Sequence, residues 1–239
     1  QAPTVDFAQA MLSGLAPDGG LYVPETWPAA DAALTRPGVP YATVARSVLT
    51  TFAADALPAG AVEAAVSRLV DRFRHEAVTP LVQLDANLWL LELFHGPTAA
   101  FKDLAMQLAA SLMDAALVRA DSRLTLVTAT SGDTGAAAVR AFAGAERIRL
   151  IVLHPEGRVS PVQRLQMTTV AADNITNLAV RGDFDDCQRL VKGLLTDETL
   201  RAQGLLSSVN SINWARLAGQ IPYYVAAGAA LAGPAPRFV

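Results

Sequence analysis

From Leu81 onward the chain alternates short apolar runs with amphipathic stretches, and this pattern constrains its fold more than any other feature. The apolar runs are "LVQL", "LWLLEL", "RLTLVTA", "RIRLIVLH", "NITNLAV", "GLLSSVN" and a final "RFV". Between them, apolar spacing predicts helices from about Phe101 to Val118, Thr134 to Phe142, Pro161 to Thr168, Asp185 to Arg201, and from Trp214 onward. Short strands that alternate with helices need crossover connections, which build a parallel sheet covered on both faces. The fold class is therefore α/β, a parallel sheet flanked by helices. Ahead of it, "YATVARSVLTTF" and "AGAVEAAVSRLVDRF" carry apolar residues at three- and four-residue spacing, beside the Pro/Gly-rich "LAPDGGLYVPETWP". The expected division is a helical N-terminal domain over residues 1–76 and an α/β domain over 77–239.

"GPAPRFV" has the turn signal and apolar onset of one more strand, with no crossover after it. The sequence is thus expected to be part of a longer protein. At 52% hydrophobic residues it can bury a substantial core. No apolar run reaches the roughly 18 residues that span a bilayer, and "QAPTVDFAQAMLSGL" lacks the layout of a signal peptide. A cytoplasmic location is the expectation. A net charge of -3, with both signs interspersed, offers no basic stripe for nucleic acid and no polybasic membrane anchor. The expected partner is a small molecule. One cysteine, Cys187, allows no intrachain disulfide, and the three scattered histidines do not make a zinc motif, so no metal is expected.

Lysine occurs only at Lys102 and Lys192, against seventeen arginines. A chain that so favours arginine should retain lysine where arginine cannot serve, as a neutral amine nucleophile or a compact point charge. Lys192, in the polar helix "DDCQRLVKGLLTDE", reads as a solvated charge. Lys102, in "FHGPTAAFKDLAMQ", is the candidate for chemistry, with His95 and Asp103 close enough in sequence to assist proton transfer or to shape the loop.

Three further stretches can carry a ligand. "TATSGDTGAAAVRAF" runs from the end of a strand into a helix, where unpaired amides and the helix dipole favour an anion. There Gly132 and Gly135 permit close backbone approach, and Thr130, Ser131 and Thr134 supply hydroxyls. A plain helix cap built on Asp133 or Ser131 explains the same residues equally well. In "EGRVSPVQRLQMTT", Ser160 can cap a helix with Pro161 at its first position and Arg164 one turn on, an arrangement suited to phosphate, although Arg164 reads equally as a solvated helix residue. In "SSVNSINWARLAGQ", Asn210, Ser211, Asn213 and Arg216 gather at the start of a helix, as substrate ligands or as turn and cap.

Taken together these motifs resemble a known family. "ELFHGPTAAFKDLAMQ" is similar to the cofactor-attachment segment of the threonine synthases, fold type II pyridoxal-phosphate enzymes of the tryptophan synthase β group. "GLAPDGGLYVPE", "TSGDTG", "SPVQRLQMTT" and "NSINWAR" resemble other blocks of that family, all in the family's order from Gly14 to Arg216. The resemblance implies that Lys102 is the catalytic residue and holds pyridoxal 5'-phosphate as an internal aldimine. It implies that Ser131, Gly132, Asp133, Thr134 and Gly135 contact the cofactor and substrate carboxylate. Thr130, Ser160, Arg164, Asn210, Ser211, Asn213 and Arg216 would then lie near the substrate, O-phospho-L-homoserine, which water converts to L-threonine and phosphate. A related phospho-lyase that yields another product, or a small-molecule-binding fragment with an incomplete site, remains an alternative on the same residues. The amine of Lys102 must react in its neutral form, so burial or nearby cations are expected around it.

Overall fold

A computed structural model describes residues 2–29, 31–197, 199–200, 205–208 and 213–231, omitting the side chains of residues 54 and 205. The predicted "RFV" strand, residue 201 and both ends of "GLLSSVN" lie outside the described residues. Three helices lead the chain: α1 (Phe7–Ser13), α2 (Tyr41–Ala53) and α3 (Ala61–Arg72). After them come β1 (Leu81–Asp85), β2 (Leu88–Leu91) and the long α4 (Lys102–Arg119). Then β3 (Leu124–Ala129), α5 (Asp133–Phe142), β4 (Ile148–Pro155), α6 (Pro161–Thr168), β5 (Ile175–Val180), α7 (Phe184–Thr196) and β6 (Leu205–Ser207) alternate. Two helices, α8 (Trp214–Ala218) and α9 (Ile221–Leu231), follow.

Strands β3 to β6 form one parallel sheet in the order β5-β4-β3-β6, as the alternation predicts. Alternate residues face opposite sides of it. Leu124, Leu126, Ile148, Leu150 and Val152 join the core made with α4 and α5, whereas Val127 and Leu153 pack with Cys187 and Val191 of α7. Both faces are therefore covered, as expected of a parallel sheet.

The first two apolar runs depart from the expectation. β1 and β2 form a separate antiparallel hairpin, with Leu81 opposite Leu91 and Val82 opposite Leu90. The physical reason is the length of the connection: Ala86 and Asn87 suffice for a tight turn, whereas a parallel return needs a dozen residues or more. Leu84, Leu88 and Leu90 of this hairpin are exposed.

Helix α4 is buried nearly all round, from Leu104 through Leu117, and such a helix needs partners on every side. The sheet and α5 cover one side. Helix α3 and residues of α1 and α2, including Met11, Leu49, Val66 and Leu69, continue the same core over the other. Arg72 at the end of α3 donates to Gln107 Oε1 and to Arg140 O, tying α3 to α4 and α5.

Candidate active site

In the sheet order, β3 leads to β4 and β5 on one side and pairs with β6 on the other, so the direction of winding reverses at β3. Crevices that open at the carboxyl ends of strands at such a reversal are the usual ligand sites of α/β sheets. The segment there is Thr130 to Gly132, between β3 and α5.

Thr130 organises this loop from below. It is buried, and its Oγ1 accepts from the Gly132 amide at 3.0 Å and the Gly135 amide at 2.8 Å. The capping expected from Asp133 or Ser131 is thus supplied by Thr130, while the N-cap position itself is Gly132, with no side-chain cap. Gly132 has φ 152° and ψ -85°, and a β-carbon there would collide with the Gln163 amide. A β-carbon at Gly135 would fall 2.5 Å from Thr130 Cγ2 and 2.7 Å from Met167 Sδ. Glycine is therefore required at 135 by packing, since both neighbours are held within the core. Ser131 is exposed and Thr134 half-buried, so their hydroxyls stand at the open side of the loop.

Lys102 opens α4, and its Nζ donates to Asp133 Oδ2 at 2.5 Å. The lysine side chain is 16% exposed and the aspartate's 45%. Nζ also lies 4.8 Å from the centre of the Phe101 ring. The hydrogen bond from Lys102 holds the Asp133 carboxyl below its ordinary range, with smaller help from the amides of Asp133 and Thr134. Of the burial or nearby cations expected around the amine, the structure shows burial, and its charged neighbour is an anion. The amino terminus of α5, predicted to receive an anion, holds the carboxylate of Asp133.

The loop that delivers Lys102 is fastened by the next residue. Asp103 is fully buried; Oδ2 accepts from the Thr98 amide at 2.7 Å and Oδ1 from Thr98 Oγ1 at 2.8 Å. Burial pushes the Asp103 carboxyl up, and the two Thr98 bonds oppose that shift. A β-carbon at Gly96 would come within 2.6 Å of Asp103, so the glycine makes room for the carboxylate. His95 faces away from this arrangement: its Nε2 lies 2.7 Å from Glu92 Oε2, and its ring packs 4.9 Å from those of His75 and Phe94.

Helix α6 touches both the lysine loop and the loop before α5. Gln166 Nε2 donates to Thr98 O at 3.1 Å on the lysine loop, and Gln163 lies against Gly132 on the other loop. Ser160 caps α6 as predicted: its Oγ accepts from the Gln163 amide at 3.3 Å and donates to Gln163 Oε1 at 2.9 Å. Ser160 and Arg164 are both exposed at this end of α6. Gln163 and Gln166 were not singled out from the sequence. Their spacing of three, on the face of a capped helix, was the signal available. Replacing Gln166 with alanine is expected to cost about 1 kcal/mol of stability. Hydrogen exchange should rise in residues 96–101, with residues 130–135 unchanged.

The fourth predicted cluster divides. Asn210 and Ser211 lie outside the described residues. Asn213 is buried and structural in its contacts: Oδ1 caps α8 through the Ala215 amide at 2.9 Å, and Nδ2 donates to Met11 O at 2.7 Å. Arg216 is 3% exposed within α8, where burial pushes its guanidinium down and Tyr223 opposes the shift. Helix α8 packs on α4, and Gly219 just beyond it would place a β-carbon 3.0 Å from Ala105 Cα, one turn from Lys102.

A partly buried primary amine, a glycine-bearing loop, an exposed hydroxyl and a helix amino terminus suit an aldehyde cofactor that carries anionic groups. Comparisons with known proteins point to the same class of cofactor. Residues 1–69 match the family described as "Threonine synthase N terminus", and residues 72–239 match "Pyridoxal-phosphate dependent enzyme". Threonine synthase of Pseudomonas aeruginosa is 44% identical over 98% of this chain and 50% of its own length. That of Saccharomyces cerevisiae is 39% identical over 92% of this chain and 46% of its own. Among solved structures, the pyridoxal-phosphate-bound threonine synthase of Brucella melitensis superposes with a TM-score of 0.93. It shares 50% identity, covering 98% of this chain and 51% of that one. The yeast threonine synthase structure gives 0.88 and 38%, over 95% and 47%. The chain spans about half the length of the relatives it matches. With a match over residues 72–239 and an amine site that suits the cofactor, the chain belongs to the family of pyridoxal-phosphate dependent enzymes.

Proposed function

We propose that the protein to which this chain contributes is a threonine synthase, converting O-phospho-L-homoserine and water to L-threonine and phosphate. The observation that carries the reading is the pairing of the two family matches, in order, with Lys102 at the switch point of the sheet. In this reading residues 1–76 form the helical lead-in and residues 77–239 the cofactor-binding part. The reaction is assigned to the cytoplasm. Among the described residues no helix is long and apolar enough to cross a membrane.

Pyridoxal phosphate, when bound, supplies an electron sink for charge that develops next to the substrate's amino group. The chain's residues do the rest. Lys102 would hold the cofactor through Nζ, and its neutral amine would take and return protons at the substrate's α- and β-carbons; an arginine could not. Thr130 shapes the loop. Ser131 and Thr134, with the amides of Asp133 and Thr134, receive the substrate carboxylate, and Gly132 and Gly135 let the loop flank the cofactor. Ser160 and Arg164, exposed at the start of α6, form the phosphate-facing side. Asp103 and Gln166 act at one remove, since both hold Thr98 and so the loop before Lys102.

Two of the similar proteins are named threonine synthase-like 2, from Xenopus laevis and Rattus norvegicus, at 37% and 36% identity. Product analysis separates synthase from phospho-lyase. Full-length protein supplied with pyridoxal phosphate and O-phospho-L-homoserine should release phosphate and L-threonine in equal amounts. Phosphate without threonine would replace this reading with the lyase.

A further inference from the structure

Asp133 is an unusual neighbour for an amine that must attack an aldehyde. Capture of the cofactor requires the lone pair of Nζ: it adds to the aldehyde carbon, a C–N bond forms, and the carbonyl oxygen leaves as water. An ammonium ion cannot begin this step until one proton has passed to solvent. In the structure Nζ is bonded to the Asp133 carboxylate at 2.5 Å, and that carboxylate sits at the amino terminus of α5, where the helix dipole also favours it. The other charged groups with a part in this packing are engaged elsewhere or lie on other helices. Asp103 on α4 bonds Thr98 with both oxygens, Arg72 on α3 bonds Gln107, and Arg216 belongs to α8.

We propose that Asp133 is a restraining counter-ion, which holds the Lys102 side chain against α5 and must part from it before an aldehyde can be captured. This rests on Lys102 being the attachment residue of the proposed function. It adds a positioning role for Asp133 in the loading of the protein. The carboxylate also fills the helix terminus that an incoming anion would use, so arrival of an anionic ligand and release of the amine are one exchange: the ligand takes the amides, and Asp133 yields both partners.

The chain carries its own internal standard. Lys192 is exposed on α7, with no part in the crevice. Cofactor-free full-length protein treated with trace acetic anhydride at neutral pH reports amine reactivity as the ratio of label on Lys102 to label on Lys192, read by peptide mass. Asp133→Asn should raise this ratio about fivefold, the effect of losing a part-exposed ion pair worth up to about 1 kcal/mol. Asp133→Ser, which keeps a favourable residue in the first turn of α5, should raise it similarly and guards against a folding defect peculiar to the first variant. A ratio unchanged in both variants overturns the proposal. The attachment reading is tested separately by trapping pyridoxal phosphate on the protein with borohydride. A pyridoxyl group on Lys102 with unchanged acetylation ratios removes the restraint and leaves the function standing, whereas no pyridoxyl group on Lys102 removes both.

Discussion

Lys102→Ala in the full-length protein is expected to lower turnover of O-phospho-L-homoserine by at least about 10³-fold, the scale of losing a nucleophile that also moves protons. It should also remove the absorbance of lysine-bound cofactor. Lys102→Arg should fail as completely, although it keeps the charge and can still reach Asp133. That second variant carries the weight of the argument, because it separates the need for an amine that can lose a proton from the need for a cation. If arginine preserved turnover, Lys102 would be only an electrostatic contributor. Both variants should fold, since Nζ makes its bond to a carboxylate that is itself 45% exposed. Circular dichroism and denaturant midpoints close to the parent's would check this.

The second large effect is expected at Gly135. An added β-carbon would stand 2.5 Å from Thr130 Cγ2, 3.0 Å from Thr130 Cβ and 2.7 Å from Met167 Sδ. Thr130 cannot give way without loosening its bonds to the amides of Gly132 and Gly135, and the sulfur belongs to a fully buried methionine of α6. Gly135→Ala is therefore expected to cost about 1 to 3 kcal/mol of stability, the range for overpacking a filled core. Affinity for pyridoxal phosphate should fall with it, because the displaced loop carries the ligand amides. The contrast with Gly132 is informative. There the obstructing group is the end of a glutamine side chain, which can swing aside, so the loss in Gly132→Ala should come from the backbone, whose φ of 152° strains a residue with a β-carbon. Wild-type stability in Gly135→Ala would contradict this account of the loop.

Much of the fold could be read from periodicity. The boundaries of α6 follow from Ser160 and Pro161, and the sheet from the even alternation of β3, β4 and β5 with helices. The hairpin was misread because "LVQL" and "LWLLEL" look like buried parallel strands by composition, and only the two-residue connection betrays the antiparallel pairing. The sequence singled out Lys102 and the loop from Thr130 to Gly135, which the structure brings together. It did not reveal that Thr130 would satisfy two amides from beneath, or that Asp133 would reach across to the lysine thirty-one positions away. Nor did it find Gln163 and Gln166. Such contacts join elements distant in the chain, and local pattern carries no information about them. Asn213 shows the converse: an amide at a helix start looked equally like a ligand or a cap, and its bonds to Ala215 and Met11 are those of a cap.

The central claim is that Lys102 is the residue to which pyridoxal phosphate attaches. Incubation of the full-length protein with pyridoxal phosphate, borohydride reduction and peptide mass mapping address it in one measurement. The account predicts a single pyridoxyl adduct on the peptide that contains Lys102, lost in Lys102→Arg. An adduct on another lysine, or none in a protein that still makes threonine, would contradict it.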